Sequence, residues 1–428
     1  MPLLAPSFLN VTELLPRLVS KRSIHSQRLT NGKLNRPISI AFIITGIGWG
    51  GAEGMLYRLL SRLDRTRFTA TVITLIDVGP QPLIEKIQSL GISVRCLGMQ
   101  PGRPSLVSLL RLTRWLRENP PDLISTWQYH ADLIGGLAAR LAGGIPVAWG
   151  IRQSDLNREG NGRLTFLTVR MCALLSRWLP VRIVCCSEAS RQVHAASGYV
   201  AKKMVVIPNG YDLGTFRPDS VARVAIRKEL HIPEDAPVIG LVARFHPQKD
   251  HRNFFQAARL LHKDRPDVYF VLCGLEVNWE NKTLTSWIEE AGIRKRVLLL
   301  GRREDISKLT AAFDIACLSS SYGEGFPNIV SEAMSCGVPC AVTDVGEAAF
   351  IVGQTGRVVP PRNPNALAAS LRELVDLGQE GRSRLGVAAR QRVKERFNLP
   401  QIVAQYESLF QELAGDVGGE VGSRVSLL

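Results

Sequence analysis

Short β-rich runs separated by helix-length stretches recur along this chain, and the alternation occurs twice, which restricts the fold more than any other property of the sequence. Parallel strands need a long crossover between them, and a helix is the usual crossover. A strand–helix rhythm therefore predicts an α/β fold built on doubly wound parallel sheets. In the first half ISIAFII (38–44), FTATVITLI (68–76), ISVRCL (92–97), PDLIST (121–126), PVAWGI (146–151) and VRIVCC (181–186) read as strands. The segment VVIPNGYDLGTFRPD (205–219), dense in Pro, Gly, Asn and Asp, reads as a linker. Beyond it APVIGLVA (236–243), DVYFVLCG (267–274), RVLLLG (296–301) and FDIACLS (313–319) begin a second set. Two Rossmann-like domains with a cleft between them follow, and 428 residues exceed what one hydrophobic core usually supports. The expected division is a basic arm over 1–36, domains over 37–215 and 216–395, a helix over 396–414 that packs back on the first domain, and a tail over 415–428. The helical periodicity near the end is broken at Pro400.

With 53 Lys and Arg against 38 Asp and Glu, the formal charge of +15 favours polyanionic company: phosphates, anionic lipid head groups or nucleic acid. No finger, helix-turn-helix or basic stripe with exposed aromatics is legible, so nucleic acid is not expected as a partner. The eight cysteines lack the paired C-x2-C spacing of a structural zinc site, and no metal is expected. Cys96, Cys273 and Cys317 stand in apolar contexts and read as buried thiols of a reducing compartment. No apolar run approaches the roughly 20 residues of a membrane-spanning helix, and the N-terminus lacks a secretory pattern. The expected location is cytoplasmic. Arg17, Lys21, Arg22, Arg28, Lys33 and Arg36 against Glu13 make the first residues a flexible arm or a lipid-seeking segment.

Three stretches carry chemistry. In DIACLSSSYGEGFPNIVSEAMSCGVPC, Glu324 sits in a glycine-bearing turn after a strand and Glu332 follows eight residues later on a short helix. Two carboxylates so placed can accept hydrogen bonds from two polyols of one ligand, such as the hexose and ribose of a sugar nucleotide. In VARFHPQKDH (242–251), Arg244 and Lys249 lie on a loop after a strand, where fixed cations favour a leaving diphosphate; solvated loop charges are the plain alternative. In TGIGWGGAEGML, Gly46, Gly48 and Gly51 fit G-x-G-x-x-G, and Gly50 and Gly51 let backbone approach a pyrophosphate. That loop, with Asp77 as a ribose-binding acid, keeps open an NAD-dependent oxidoreductase; a strand-to-helix packing turn is the structural alternative.

These motifs together resemble the retaining glycosyltransferases of the GT-B fold known as family 4, over about residues 38 to 412. The resemblance implies that Glu324 contacts the transferred sugar and Glu332 the ribose. It places backbone around Phe326, Pro327, Asn328 and Ile329 at the sugar and phosphates, and sets Arg244 and Lys249 on the diphosphate. Gly50 and Gly51, in GGAE, are similar to the glycine loop of the first domain. His130, in STWQYHADLIGG, resembles the histidine at a helix start beside the reacting sugar, and Asn209, Gly210 and Asp212 match the linker. Ala243 and Pro327-Asn328 stand where the family more often has glycine. The first domain would take the acceptor and the second the nucleotide sugar, without cofactor or bound metal, in cell-surface polysaccharide or glycolipid synthesis. A silent sugar-nucleotide-binding protein on the same fold is a further alternative.

The first half also carries basic amphipathic stretches. In 104–120, Arg111, Arg114 and Arg117 recur beside Leu106, Leu109, Leu110 and Trp115, and 162–182 is similar. Docking on an anionic bilayer, such as the inner face of the plasma membrane, and a saccharide or lipid-linked acceptor are the matching expectations; leucines buried in the core would be the plain alternative.

Overall fold

Seven parallel strands form the first sheet in a computed structural model that describes residues 36–48, 50–79, 81–100, 105–156 and 162–415. They are β1 (Ile38–Ile44), β2 (Phe68–Ile76), β3 (Ser93–Met99), β4 (Leu123–Trp127), β5 (Val147–Ile151), β6 (Arg182–Cys185) and β7 (Met204–Val206), in spatial order β3-β2-β1-β4-β5-β6-β7. Six more, β8 (Val238–Val242), β9 (Tyr269–Cys273), β10 (Val297–Leu299), β11 (Ile315–Leu318), β12 (Cys340–Thr343) and β13 (Arg357–Val359), form the second in order β10-β9-β8-β11-β12-β13. The central strands β4, β5 and β11 are buried at every position, as expected where helices cover both faces.

In each sheet the strand order reverses once. β1 pairs with both β2 and β4, and β8 with both β9 and β11. Beyond the carboxyl ends of such a pair the loops diverge to opposite faces and leave a crevice. Both faces of each sheet carry an apolar layer. One layer of the first sheet includes Phe42, Phe68 and Leu123 together with Ile402, Tyr406 and Phe410 of the helix Leu399–Gly415. That helix is also tied to the first sheet by Arg67 and Glu407 at 3.2 Å and by Arg182 and Glu412 at 2.5 Å.

Two readings that differ are the linker and one thiol. The segment 205–219 begins inside β7, and its middle is a packed crossing: Tyr211 N donates to Phe397 O at 2.9 Å and Leu399 N to Tyr211 O at 3.0 Å. Its polar composition reflects turns between buried anchors, Asn209 and Tyr211. Cys96 is exposed, in contrast to the seven other cysteines, because β3 is an edge strand with an open face. Pro400 falls in the first turn of Leu399–Gly415, where its missing N–H has no helical partner to lose, so it starts a helix after Gly378–Arg396 ends. The expected arm over 1–36, apart from Arg36, and the tail from residue 416 lie outside the described residues.

Candidate active site

A cavity of about 750 Å³ lies where the carboxyl ends of the two sheets face each other. His130, Arg244, Lys249, Glu324, Gly50, Gly51, Phe326, Asn328, Ile329 and Glu332 all line it. Each stands in the segment following β1, β4, β8 or β11, the four strands that flank the two reversals of order. Topology therefore brings together residues that span nearly three hundred positions of sequence.

Glu324 is fixed from several sides. Its Oε1 accepts from Lys249 Nζ at 2.5 Å and from Ser320 Oγ at 2.6 Å. The loop bearing Lys249 is strapped to the loop after β11, since Ser319 Oγ donates to Lys249 O at 2.7 Å and Ser321 N to Gln248 O at 2.8 Å. Thr343 Oγ1, at the end of β12, donates to Ser320 O at 2.6 Å. Gly346, at φ +60°, passes so close under Glu324 O that a Cβ there would lie 1.6 Å from it. Arg244 is exposed on the same wall.

The opposite wall is polar as well. Gln128, a non-glycine residue at φ +75°, follows the end of β4 and caps the helix Tyr129–Leu141, which carries His130 in its first turn. Strain at a strand end that aims side chains into a cleft is a common mark of a functional site. Burial pushes the His130 imidazole below its ordinary range, which favours its neutral form. Glu53, in the first turn of the helix Gly51–Arg62, has its carboxyl raised by burial and partly lowered again by Gln128 and Arg244. A Cβ would lie 2.1 Å from Glu53 Oε2 at Gly50 and 2.6 Å from Asn328 Nδ2 at Gly51, so a side chain at either position would displace the end of Glu53 or of Asn328.

Contacts cross the cleft directly. Asn328 Nδ2 donates to Gly51 O at 3.2 Å, while its Oδ1 accepts from Asn209 Nδ2 at 2.8 Å and Tyr211 Oη at 2.5 Å. Ser154 Oγ donates to Glu324 O. Gly325 lies against the strand-end loop after β5, where a Cβ would meet Arg152 O at 2.7 Å. Arg58 Nη1 stands 3.2 Å from Glu332 Oε1. Arg152 stacks on Trp127 with its guanidinium carbon 3.6 Å from the ring centre and donates to Tyr406 Oη at 2.6 Å, so the last helix supports the cavity wall.

Glu53, Arg58, Gln128 and Arg152 were not singled out from the sequence. Glu53 was legible as the acid of GGAE; Arg58 and Arg152 are isolated arginines whose partners lie hundreds of positions away. The dinucleotide reading fares differently. Gly46 packs against Ile76, Asp77 folds its carboxylate onto Gly79 N at 2.8 Å, and neither Gly46 nor Asp77 lines the cavity.

Two parallel-sheet α/β lobes with a polar cleft between their carboxyl ends define the GT-B architecture. Residues 49–215 match the family described as Glycosyltransferase Family 4, and residues 223–392 the one described as Glycosyl transferases group 1. The chain belongs to the group 1 glycosyltransferases and is a transferase. It is 29% identical over 71% of its length to EpsF of Bacillus subtilis, described only as a glycosyltransferase; that alignment spans 79% of EpsF. It is also 29% identical to the UDP-Gal:α-D-GlcNAc-diphosphoundecaprenol α-1,3-galactosyltransferase of Escherichia coli, across 56% of this chain and 62% of that enzyme. Among solved structures, Anabaena HepE in complex with UDP superposes with a TM-score of 0.77 over 88% of this chain and all of HepE, at 23% identity.

Proposed function

We propose that this chain moves a hexose or N-acetylhexosamine from a nucleotide diphosphate sugar to a saccharide or lipid-linked acceptor, with retention at the anomeric carbon and without a bound metal, in the synthesis of a surface polysaccharide or glycolipid. The observation that carries this reading is the Lys249–Glu324 pair with Arg244 beside it, facing His130 across one cavity. A diphosphate between Arg244 and Lys249 would draw Lys249 from Glu324 and free the carboxylate for sugar hydroxyls. Glu332 would take the ribose. Supporting the choice of ligand, HepE was solved with UDP and the Escherichia coli relative uses UDP-Gal. The cations supply the positive charge that a metal provides elsewhere, and among the described residues no group of three His, Cys, Asp or Glu side chains forms a metal-ligand set.

This reading uses no covalent nucleophile: of the cavity acids, Glu324 is given to the sugar hydroxyls and Glu332 to the ribose. The working mechanism is a front-face displacement. The bond from C1 to the leaving phosphate oxygen breaks, the acceptor oxygen bonds to C1 on the same face, and the acceptor proton passes to the departing phosphate. A neutral His130 would orient the reacting sugar by hydrogen bonding.

The acceptor side has a membrane character. On the helix Arg163–Leu175, whose Thr165 lines the cavity, Leu167 and Leu174 are each 58% exposed and Met171 is also exposed; Trp178 just beyond is 65% exposed. Exposed Arg163, Arg170 and Arg177 accompany them. On Leu106–Glu118, Leu106, Val107 and Leu110 are exposed instead of packing in the core. No described helix is long and apolar enough to cross a membrane, so contact would be peripheral, on the cytoplasmic face. The test is a nucleotide-sugar screen with a lipid-linked acceptor pool, reading the anomeric configuration of the product by NMR. Inversion, or a stable glycosylated side chain during turnover, would remove the mechanism. Release of no nucleoside diphosphate from any donor would remove transfer itself.

A further inference from the structure

We infer that Arg58 is a positioning residue for the nucleotide: paired with Glu332 across the cleft, it holds that carboxylate for the ribose hydroxyls. The inference rests on the reading of Glu332 as the ribose acid.

The geometry is specific. Arg58 lies on Gly51–Arg62, the helix that follows the glycine loop of the first sheet, and Glu332 on Asn328–Ser335 of the second. Their side chains are 14% and 15% exposed, and Nη1 to Oε1 is 3.2 Å. Arg58 also covers the ring of Tyr211 at 4.8 Å, and Tyr211 Oη in turn donates to the Asn328 side chain at the head of the Glu332 helix. Helix, crossing segment and helix thus meet at one guanidinium. Arg58 Nε and Nη2 are buried without a hydrogen-bond partner, so Glu332 and the Tyr211 face are what hold it. Both Arg58 and Glu332 line the cavity, and a carboxylate with one oxygen bonded to Arg58 retains acceptor positions on the other.

Charge explains why a cation is placed there. Burial raises the carboxyl of Glu332, and Arg58 opposes it. Besides Arg58, the ionisable groups that interact with it are Tyr211 on the crossing segment and Cys336 at the cap of its own helix; Arg390 of Gly378–Arg396, a neighbour of Cys336, is occupied with Leu213 O, Phe216 O and Ser335 O. Of these only Arg58 is hydrogen-bonded to Glu332 among the described residues. Without it the carboxyl would take up a proton closer to neutral pH and lose acceptor capacity.

The test is calorimetric binding of UDP and of GDP, which share the ribose, to the full chain and to R58Q, R58K and E332Q at about pH 6, 7 and 8. Thermal unfolding confirms folding of each variant. Expected is a Kd weakened by roughly ten- to a hundredfold in R58Q, with the defect growing as pH falls because Glu332 protonates, and substantial recovery in R58K. E332Q should bind as weakly as R58Q at low pH, with little pH dependence. Wild-type binding by R58Q beside weak binding by E332Q would overturn the role of Arg58, as would an R58Q defect independent of pH. Unimpaired binding by E332Q, or binding of neither nucleotide by the unaltered chain, would instead overturn the ribose reading of Glu332.

Discussion

Lys249 Nζ and Glu324 Oε1 stand 2.5 Å apart, joining the loops that follow β8 and β11, with the two side chains 19% and 8% exposed. The pair gives a buried carboxylate a cationic partner, and the proposed diphosphate would compete for the lysine. Lys249→Ala should therefore act twice. It removes a cation from the diphosphate, lowering kcat by about a hundred- to a thousandfold, and leaves Glu324 short of a partner, at about 1–3 kcal/mol of stability. Single-turnover kinetics and urea unfolding measure the two losses separately. A near-native rate would take Lys249 out of the chemistry.

Gly325 offers a way to separate closure from folding. A Cβ there would meet Arg152 O at 2.7 Å and Gln153 Cα at 2.8 Å, both in the first lobe, and Gly325 is not among the residues with positive φ. Gly325→Ala should therefore leave each lobe intact and prevent their approach. The expected result is a Tm within about 2 °C of the parent, a larger radius of gyration by small-angle scattering, and at least about a tenfold loss of activity. Full activity would mean that turnover does not pass through this closed arrangement.

Much of this geometry was legible because it follows from period and punctuation. Runs such as 38–44 and 68–76 coincide with β1 and β2 residue for residue, since long β-branched runs flanked by polar residues admit few other readings. β7, β12 and β13 do not read as strands: β7 runs directly into the turn-rich VVIPNG segment, and β12 and β13 are runs of only four and three residues among glycines and prolines. Glu324, Arg244 and Lys249 were visible because a turn after a strand is where an α/β sheet places ligand groups. Arg58 was not, because it is one arginine on an amphipathic helix and its meaning lies in Glu332, 274 positions on. Nor does the sequence show that Asn328 would use its side chain to clasp Gly51, Asn209 and Tyr211.

Asp132 is predicted to make stability fall with rising pH. It is fully buried; Thr126 Oγ1 donates to its Oδ1 at 2.6 Å and Gly150 N at 3.1 Å, while Oδ2 has no partner. Burial pushes its carboxyl up to about 7 from an ordinary 3.8. Between these values the native state keeps a proton that the unfolded chain has released, so stability declines across that window and levels off above it. Asp132→Asn retains an acceptor for both donors and does not titrate. Its unfolding free energy relative to the parent should rise by up to a few kcal/mol from about pH 4 to pH 7. A constant difference across that range would show that Asp132 is ionised throughout.

The exposed face of Arg163–Leu175 yields the last prediction. Exposed Arg163, Arg170 and Arg177 are spaced at seven residues, two helical turns, beside Leu167, Met171, Leu174 and Trp178, a pattern that gives apolar insertion and head-group attraction on one side. Each basic residue near an anionic surface contributes about 1 kcal/mol, so reversing all three to Glu should weaken liposome binding by well over about a hundredfold. Trp178→Ala should weaken it less and make the remainder more salt-sensitive, since apolar insertion is the part that salt does not screen. The reversals fall on exposed positions of the helix and of the turn after it, so transfer to a water-soluble acceptor should survive while transfer to a vesicle-borne acceptor falls. Equal loss on both acceptors, or pelleting unchanged by the triple reversal, would show that this face is not a membrane contact.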